Sequence, residues 1–349
     1  MKILSRITTA LLGAAVAVIV FELLLRAAGF MPEYHLQIKT LNNDAGRLHI
    51  ILDSKLLYRV KPNSQHGINN LGYRDRFFPA KKTSARRVLV LGDSFIMSNN
   101  LSPEETVPKL VESKLGGRVE VFNLGVSGYG PDQSFLALLD HGLALAPDLV
   151  VLSIFAGNDF RDIDLNGLFE VNPHGQLTPT ASHLVKKALP PTRIQLLLNM
   201  VFKKRYLPQL LEDQIAAAIV QDKTEIMEDV TSPKNRRRRD LMFGLLRLFK
   251  TTLEQNQTPF MVMVLPSYES LSRKDEPQSM RFFNERLAVS LCRRLKIPVV
   301  DLTPPILAAG GTALFDAVYL HPNSQGTQII AAVLADALQK HFSSLFEKK

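Results

Sequence analysis

Arg87-Val-Leu-Val-Leu-Gly-Asp-Ser-Phe95 decides the fold. Its run of Val and Leu stops abruptly at Gly92. A short apolar run closed by a turn residue reads as a strand buried on both faces of a parallel sheet. Ligands of open α/β sheets sit at the carboxyl ends of the strands, so Ser94 is placed just past such an end. Read alone, Gly92-Asp93-Ser94 is also an ordinary turn, because Asp and Ser are frequent turn residues. The rest of the chain decides between the two.

Downstream the pattern alternates. A helix is expected from about Pro103 to Leu115, with Ser102 as N-cap, a first-turn proline and acidic Glu104 and Glu105. Gly116-Gly117 ends it. Val119 to Asn123 is a second strand, closed by Leu124-Gly-Val-Ser-Gly-Tyr-Gly-Pro131, and a helix follows from about Pro131 to Leu145. Leu149 to Phe155 is a third buried strand, ending in Ala156-Gly-Asn-Asp159. Residues 161–240 break the rhythm with Pro190-Pro191, an apolar stretch Ile194 to Phe202 and a helical stretch near Leu207 to Val220. They read as an insertion over the carboxyl edge of the sheet, serving as a lid or making a solvent-side excursion. The rhythm resumes with a helix from Leu241 to about Asn256, a strand from Pro259 to Leu265, a helix from Ser279 to about Leu295, a strand from Ile297 to Leu302 and a helix from about Thr327 to Phe342. Strands alternating with helices at these spacings predict βαβ units and a three-layer α/β/α domain over residues 86–345, built on a five-stranded parallel sheet.

The chain has 349 residues, is 46% hydrophobic and carries a net charge of +9. Much of the excess is concentrated in Lys234-Asn-Arg-Arg-Arg-Arg239, which reads as a solvated loop. No aromatic interleaving or nucleic-acid motif accompanies it, so no nucleic-acid partner is expected. Cys292, the only cysteine, falls in a helical pattern as a core or boundary residue. There is no His-Glu-x-x-His and no Cys/His spacing suited to a metal, and neither metal nor cofactor is expected.

Residues 1–30 form a separate segment. Lys2 and Arg6 precede an uncharged run from Ile7 to Phe21, and the apolar character continues to Leu25. Glu22 and Arg26 are one helical turn apart and can pair. This length spans a bilayer, and the early positive charges hold the amino terminus in the cytoplasm with the rest exported. A cleaved signal peptide is the rival, with small residues supplied by Ala27-Ala-Gly29. Residues 31–85 form a polar lead-in that packs on the main domain. Its patterned part includes Tyr58 to Asn63 and Gly67 to Asp75, and packing is the expectation for Tyr73 and Arg74.

The carboxyl edge brings a particular chemistry within reach. Ser94 follows the first strand, Gly128 the second and Asn158 the third, while His321 precedes the last helix. A serine nucleophile needs a base, and His321 is the candidate. The oxyanion that forms needs fixed donors; a backbone N–H at Gly128 and the Asn158 amide suit. A carboxylate on the second ring nitrogen completes the set.

With these residues the chain resembles the SGNH hydrolases, also called the GDSL family. Gly92-Asp-Ser-Phe95 matches the first block, with Ser94 as nucleophile and first oxyanion donor. Gly128 matches the glycine of the second block, Gly157-Asn158-Asp159 approximates the third, and His321 in Tyr319-Leu-His-Pro-Asn-Ser-Gln-Gly326 matches the fifth. The resemblance implies a flavodoxin-like fold and metal-free ester hydrolysis. In the family, the triad aspartate lies three residues before the histidine. Here that position is Val318 and the nearest acid is Asp316, so either Asp316 completes a triad or Ser94 and His321 act as a dyad. The amino-terminal segment and Asn70-Leu-Gly-Tyr-Arg-Asp75 look like membrane-anchored bacterial members, some of which act on acyl groups of cell-surface polysaccharides while others transfer acetyl groups. Three functions follow as expectations: a membrane-anchored, exported serine esterase acting on an acyl ester of an envelope glycan or lipid, an O-acyltransferase using the same site, and a non-catalytic assembly protein on a degenerate scaffold.

Overall fold

The computed structural model describes residues 2–28, 35–39, 47–53, 55–64, 67–79, 81–82, 85–116, 119–180, 194, 225, 227–318 and 320–346. The expected helix near Leu207 to Val220, nearly all of the apolar stretch Ile194 to Phe202 and the side chain of Arg26 lie outside them.

A helix over Lys2–Ala27 opens the chain. Its segment Arg6–Leu25 is long and apolar enough to cross a membrane, as an anchor or a signal sequence does. Leu11 and Leu12 are each 66% exposed, so among the described residues nothing covers them. Glu22 is instead buried and accepts the N–H of Ile194 at 3.1 Å. The lead-in then forms a three-stranded antiparallel sheet: β1 (His35–Lys39), β2 (Arg47–Asp53) and β3 (Leu57–Val60). Sequence periodicity did not reveal these strands, because they are short and their registers are set by turns such as the Asx turn in which Asp53 accepts Lys55 and Leu56 N–H groups.

The main sheet contains β4 (Arg86–Gly92), β5 (Val119–Gly125) and β6 (Leu149–Phe155). A small hairpin, β7 (Phe169–Val171) and β8 (Leu177–Pro179), follows. The sheet is completed by β9 (Phe260–Leu265) and β10 (Val299–Asp301). Its spatial order is β5-β4-β6-β9-β10, with every neighbour parallel. That is the doubly wound, flavodoxin-like order, whose direction of winding reverses between β4 and β6. Alternate residues feed two separate cores. Leu89, Leu91, Phe122, Leu152 and Val262 face one layer, together with Phe249 of the helix Pro233–Gln255. Val88, Val90, Val121, Val151 and Met263 face the other, with Val111 of the helix Val107–Leu115 and Leu334 of Ser324–His341. This is the three-layer arrangement the strand pattern implies.

Two local expectations are corrected. The basic cluster is not a solvated loop, and the following helix starts at Pro233 rather than Leu241. Ser232 caps it by accepting the Asn235 N–H, and Pro233 occupies its first turn. Four of the cluster's five charges are engaged: Lys234 pairs with Glu225, Arg237 and Arg238 with Asp164, Arg238 also with Glu225, and Arg239 with Asp240. The expected helix from Pro131 to Leu145 is regular only to Ala137 and then passes into wider and tighter turns.

The edge strand β5 is covered by carboxylates. Glu112 accepts the N–H of Val121 at 2.7 Å, and Asp75 accepts that of Asn123 at 2.8 Å. Arg76 makes a bidentate pair with Glu112 at 2.6 and 2.7 Å and lies over the Phe122 ring. Such cover blocks pairing with another chain at this edge. Replacing Glu112 with alanine strips both contacts at once, and urea unfolding should show a loss of about 1–2 kcal/mol. Glu112→Gln, which still accepts the Val121 N–H, should recover part of it.

Candidate active site

β4 ends at Gly92, and Asp93 turns the chain into a single helical turn, Ser94–Met97. Asp93 Oδ1 accepts the Phe95 N–H at 3.0 Å, and its carbonyl accepts from Ile96 and Met97. Ser94 is the first residue of that turn, so no intrahelical carbonyl reaches its N–H. Among the described residues nothing accepts it. The turn presses on the sheet: a Cβ at Gly125 would lie 2.6 Å from the Met97 nitrogen, so this approach requires glycine. The other end is closed by the buried Arg74, whose guanidinium donates to the carbonyls of Met97 at 3.2 Å, Ser98 at 2.8 Å and Leu101.

His321 comes from the loop before the helix Ser324–His341. Phe315 and Pro322 bridge the loop's base. Asp316 N–H donates to the His321 carbonyl and Leu320 N–H to the Asp316 carbonyl, both at 2.8 Å. Asn100 ties the loop to the Ser94 turn by donating to the Pro322 carbonyl at 3.0 Å. These supports place His321 Nε2 2.7 Å from Ser94 Oγ. The imidazole lies 4.9 Å from the Phe95 ring, itself stacked on Phe155. With its proton on Nδ1, the ring accepts the serine hydroxyl at Nε2, as a general base must. Asp316 Oδ1 accepts the Val318 N–H at 2.8 Å. Asp316 thus shares the His321 loop, whereas Val318, three residues before the histidine, is 76% exposed.

Gly128 lies in the turn after β5 with φ +78°, a region that favours glycine. Among the described residues nothing accepts its N–H. Asn158 follows β6 and is buried. Its carbonyl accepts the N–H groups of Arg161 and Asp162 at 2.8 Å, while its side chain takes no part in capping the helix Asp159–Asn166. Ser94 and Asn158 therefore flank the crevice where the winding reverses, the place an open α/β sheet uses for ligands.

The sequence reading did not single out the buried acids around this crevice. Asp159 accepts the Phe155 N–H at 2.8 Å, and burial, then the neighbouring Asp93 carboxylate, holds it well above the usual carboxylate range. Burial pushes Asp132 up to about 7, against opposing hydrogen bonds from Asn166 and Gln133. Burial also raises Asp75 to about 6 and Glu285 to about 7. Only burial marks these residues, and a linear pattern does not report it.

Residues 90–329 match the model of the GDSL-like lipase/acylhydrolase family. Among solved structures, the chain is similar to a lipase/acylhydrolase from Enterococcus faecalis at 16% identity, covering 73% of this chain and 96% of that one with a TM-score of 0.43. It is similar to a GDSL-like lipase from Bacteroides thetaiotaomicron at 17% identity, covering 75% and 92% with a TM-score of 0.40. It is also similar to a catalytic mutant of an acetylxylan esterase from Geobacillus stearothermophilus at 15% identity, covering 74% and 96% with a TM-score of 0.41. No curated protein sequence matches the chain.

The raised acids fix the sign of one pH dependence. Unfolded carboxylates titrate near 4, while Asp75, Asp132 and Glu285 keep their protons to about 6 or 7 when folded. Across that window the folded chain binds more protons, and Asp159, raised for the same reason, adds to the effect with the same sign, so stability falls as pH rises. Glu225, held at about 2 by Arg238, titrates below the window. Thermal unfolding should show the melting temperature falling from pH 4.5 to 7.5. Asp132→Asn keeps an acceptor for Asn166 and Gln133, and should flatten that fall and gain roughly 2–4 kcal/mol at pH 7.5.

Proposed function

This chain belongs to the GDSL-like lipase/acylhydrolase family and is an ester-bond hydrolase, and from that premise we propose that it is a membrane-tethered serine esterase that removes acyl groups from a cell-envelope glycan or lipid. One observation carries the reading: the 2.7 Å hydrogen bond between Ser94 Oγ and His321 Nε2. In the proposed mechanism Ser94 Oγ attacks the acyl carbonyl as its proton passes to Nε2. The oxyanion is received by the N–H groups of Ser94 and Gly128 and by the Asn158 amide. Collapse expels the alcohol, which takes the proton back from His321. Water, deprotonated at Nε2, then attacks the acyl-enzyme and frees both acid and serine.

Two supports bear on location. The first helix presents side chains such as Leu11, Leu12 and Leu24 at 60% exposure or more, a surface suited to lipid. Lys2 and Arg6 at its start favour an exported catalytic domain. An anchored protein stays in the membrane after carbonate extraction, whereas a cleaved one is released with a new amino terminus near Ala28.

Ser94→Ala and His321→Gln should each lower p-nitrophenyl acetate hydrolysis by at least about 10³-fold, and Ser94→Ala should abolish labelling by a fluorophosphonate. Wild-type rates in either variant would sink the reading. Asp316→Asn keeps an oxygen to accept the Val318 N–H. A fall of about 10-fold or more with unchanged melting temperature would mark its charge as the third member of a triad, and an unchanged rate would mark a dyad. Adding an acceptor glycan separates hydrolysis from transfer: release of free acid fits the esterase, while acyl groups appearing on the glycan identify an acyltransferase.

A further inference from the structure

The lead-in reaches the loop that carries Gly128. Val126, Ser127, Gly128 and Tyr129 form a turn closed by the Tyr129 N–H on the Val126 carbonyl at 3.0 Å, with Gly128 at φ +78°. Positive φ at the third position is the type II form. In that form the central peptide, Ser127–Gly128, points its carbonyl one way and its N–H the other. A turn with glycine at this position also has a low-cost type I alternative, in which that peptide is turned over and its N–H aims elsewhere.

Tyr58, in β3, blocks the alternative. Its hydroxyl donates to the Ser127 carbonyl at 2.7 Å, across 69 residues of sequence. The Tyr129 hydroxyl returns the contact, donating to the Tyr58 carbonyl at 2.7 Å, and the two rings meet edge to face with centroids 5.3 Å apart. Gln133 adds a third tie, donating to the Leu56 carbonyl at 2.7 Å while accepting the Gly130 N–H at 3.2 Å. On the far side, the Ser127 hydroxyl accepts from Asn99, just past the nucleophile turn, at 3.2 Å. Tyr58 is only 4% exposed. Burial and the nearby carboxylates of Asp162, Asp132 and Asp93 hold its phenol protonated, hence a donor.

We infer that Tyr58 is a positioning residue for ester cleavage, fixing the Ser127–Gly128 peptide so that the Gly128 N–H faces the oxyanion. This rests on the proposed function, in which Gly128 is an oxyanion donor. It makes the membrane-proximal lead-in part of the catalytic apparatus.

The test is Tyr58→Phe in the full chain, purified in detergent and normalised to titrated Ser94. The expected result is a kcat about 10- to 100-fold lower for p-nitrophenyl acetate, with KM changed less than about twofold. Affinity for a boronic acid, which mimics the tetrahedral oxyanion, should fall in parallel, while the pH–rate profile keeps its shape. A purely structural role would lower the melting temperature and the titratable fraction and leave kcat per titrated site alone. Wild-type kcat and boronate affinity per site overturn the inference. Should Tyr58→Phe not fold, Tyr129→Phe, which releases Tyr58 from its other end, carries the test: weaker boronate binding at constant KM supports the latch, and unchanged binding overturns it. Ser94→Ala separates the two claims. Activity retained there removes the esterase reading and the latch together, whereas an inactive Ser94→Ala beside a wild-type Tyr58→Phe removes the latch alone.

Discussion

The structure depends on a hydrogen bond between two residues 227 positions apart, Ser94 and His321. Neither partner has much freedom of its own. Ser94 stands on a single helical turn that is too short to be stable alone. It is held by the Asp93 cap at one end and the Arg74 guanidinium at the other. His321 stands on a loop pinned by the Phe315–Pro322 bridge and by Asn100. A contact of 2.7 Å tolerates little error in either support, so the sheet and its flanking helices function as a jig for two side chains.

The same logic explains why the lead-in is more than a connection to the first helix. Arg74, Asp75 and Arg76 are consecutive, and each meets a different demand of the domain. Arg74 satisfies the carbonyl end of the Ser94 turn, Asp75 the N–H of Asn123 on the sheet edge, and Arg76 the Glu112 carboxylate. One exposed backbone group at each site would be tolerable in water. Buried beside Ser94, an unmet carbonyl costs more than a typical hydrogen bond gains. A chain lacking residues 55–79 would expose these groups together, so the boundary between lead-in and catalytic domain is one of sequence rather than of energetics.

What was legible in the sequence follows from what sequence encodes locally. β6 is seven consecutive apolar or small residues, all buried, and its limits could be read directly from Leu149 to Phe155. Ser94, Gly128, Asn158 and His321 could be placed because each follows a strand or precedes a helix whose limits are marked by turn residues. The Tyr58 latch could not, since it joins one tyrosine hydroxyl to a carbonyl 69 residues away and leaves no periodic trace. The helix starting at Pro233 was legible and misread: Ser232-Pro233 is a start signal, but the run of arginines suggested solvent. Asp164 and Glu225, which pair with Lys234, Arg237 and Arg238, lie outside it in sequence.

The buried acids connect these themes. Asp93 caps the Ser94 turn, Asp159 receives the Phe155 N–H at the end of β6, and Asp132 sits in the helix that follows the Gly128 turn. Each marks the carboxyl end of a strand, or the turn just after it, where backbone N–H groups need acceptors but ligands also need room. A short carboxylate supplies the acceptor without filling the crevice. The penalty is electrostatic, because like charges at close range in a dry site cannot all be ionised. At Asp159, burial and then the nearby Asp93 carboxylate favour the protonated form. Keeping Asp159 neutral matters for the proposed chemistry as well. An oxyanion forming beside Asn158 would be repelled by a second full charge on the next residue, whereas a protonated carboxyl leaves the field to the Asn158 amide and the two N–H donors.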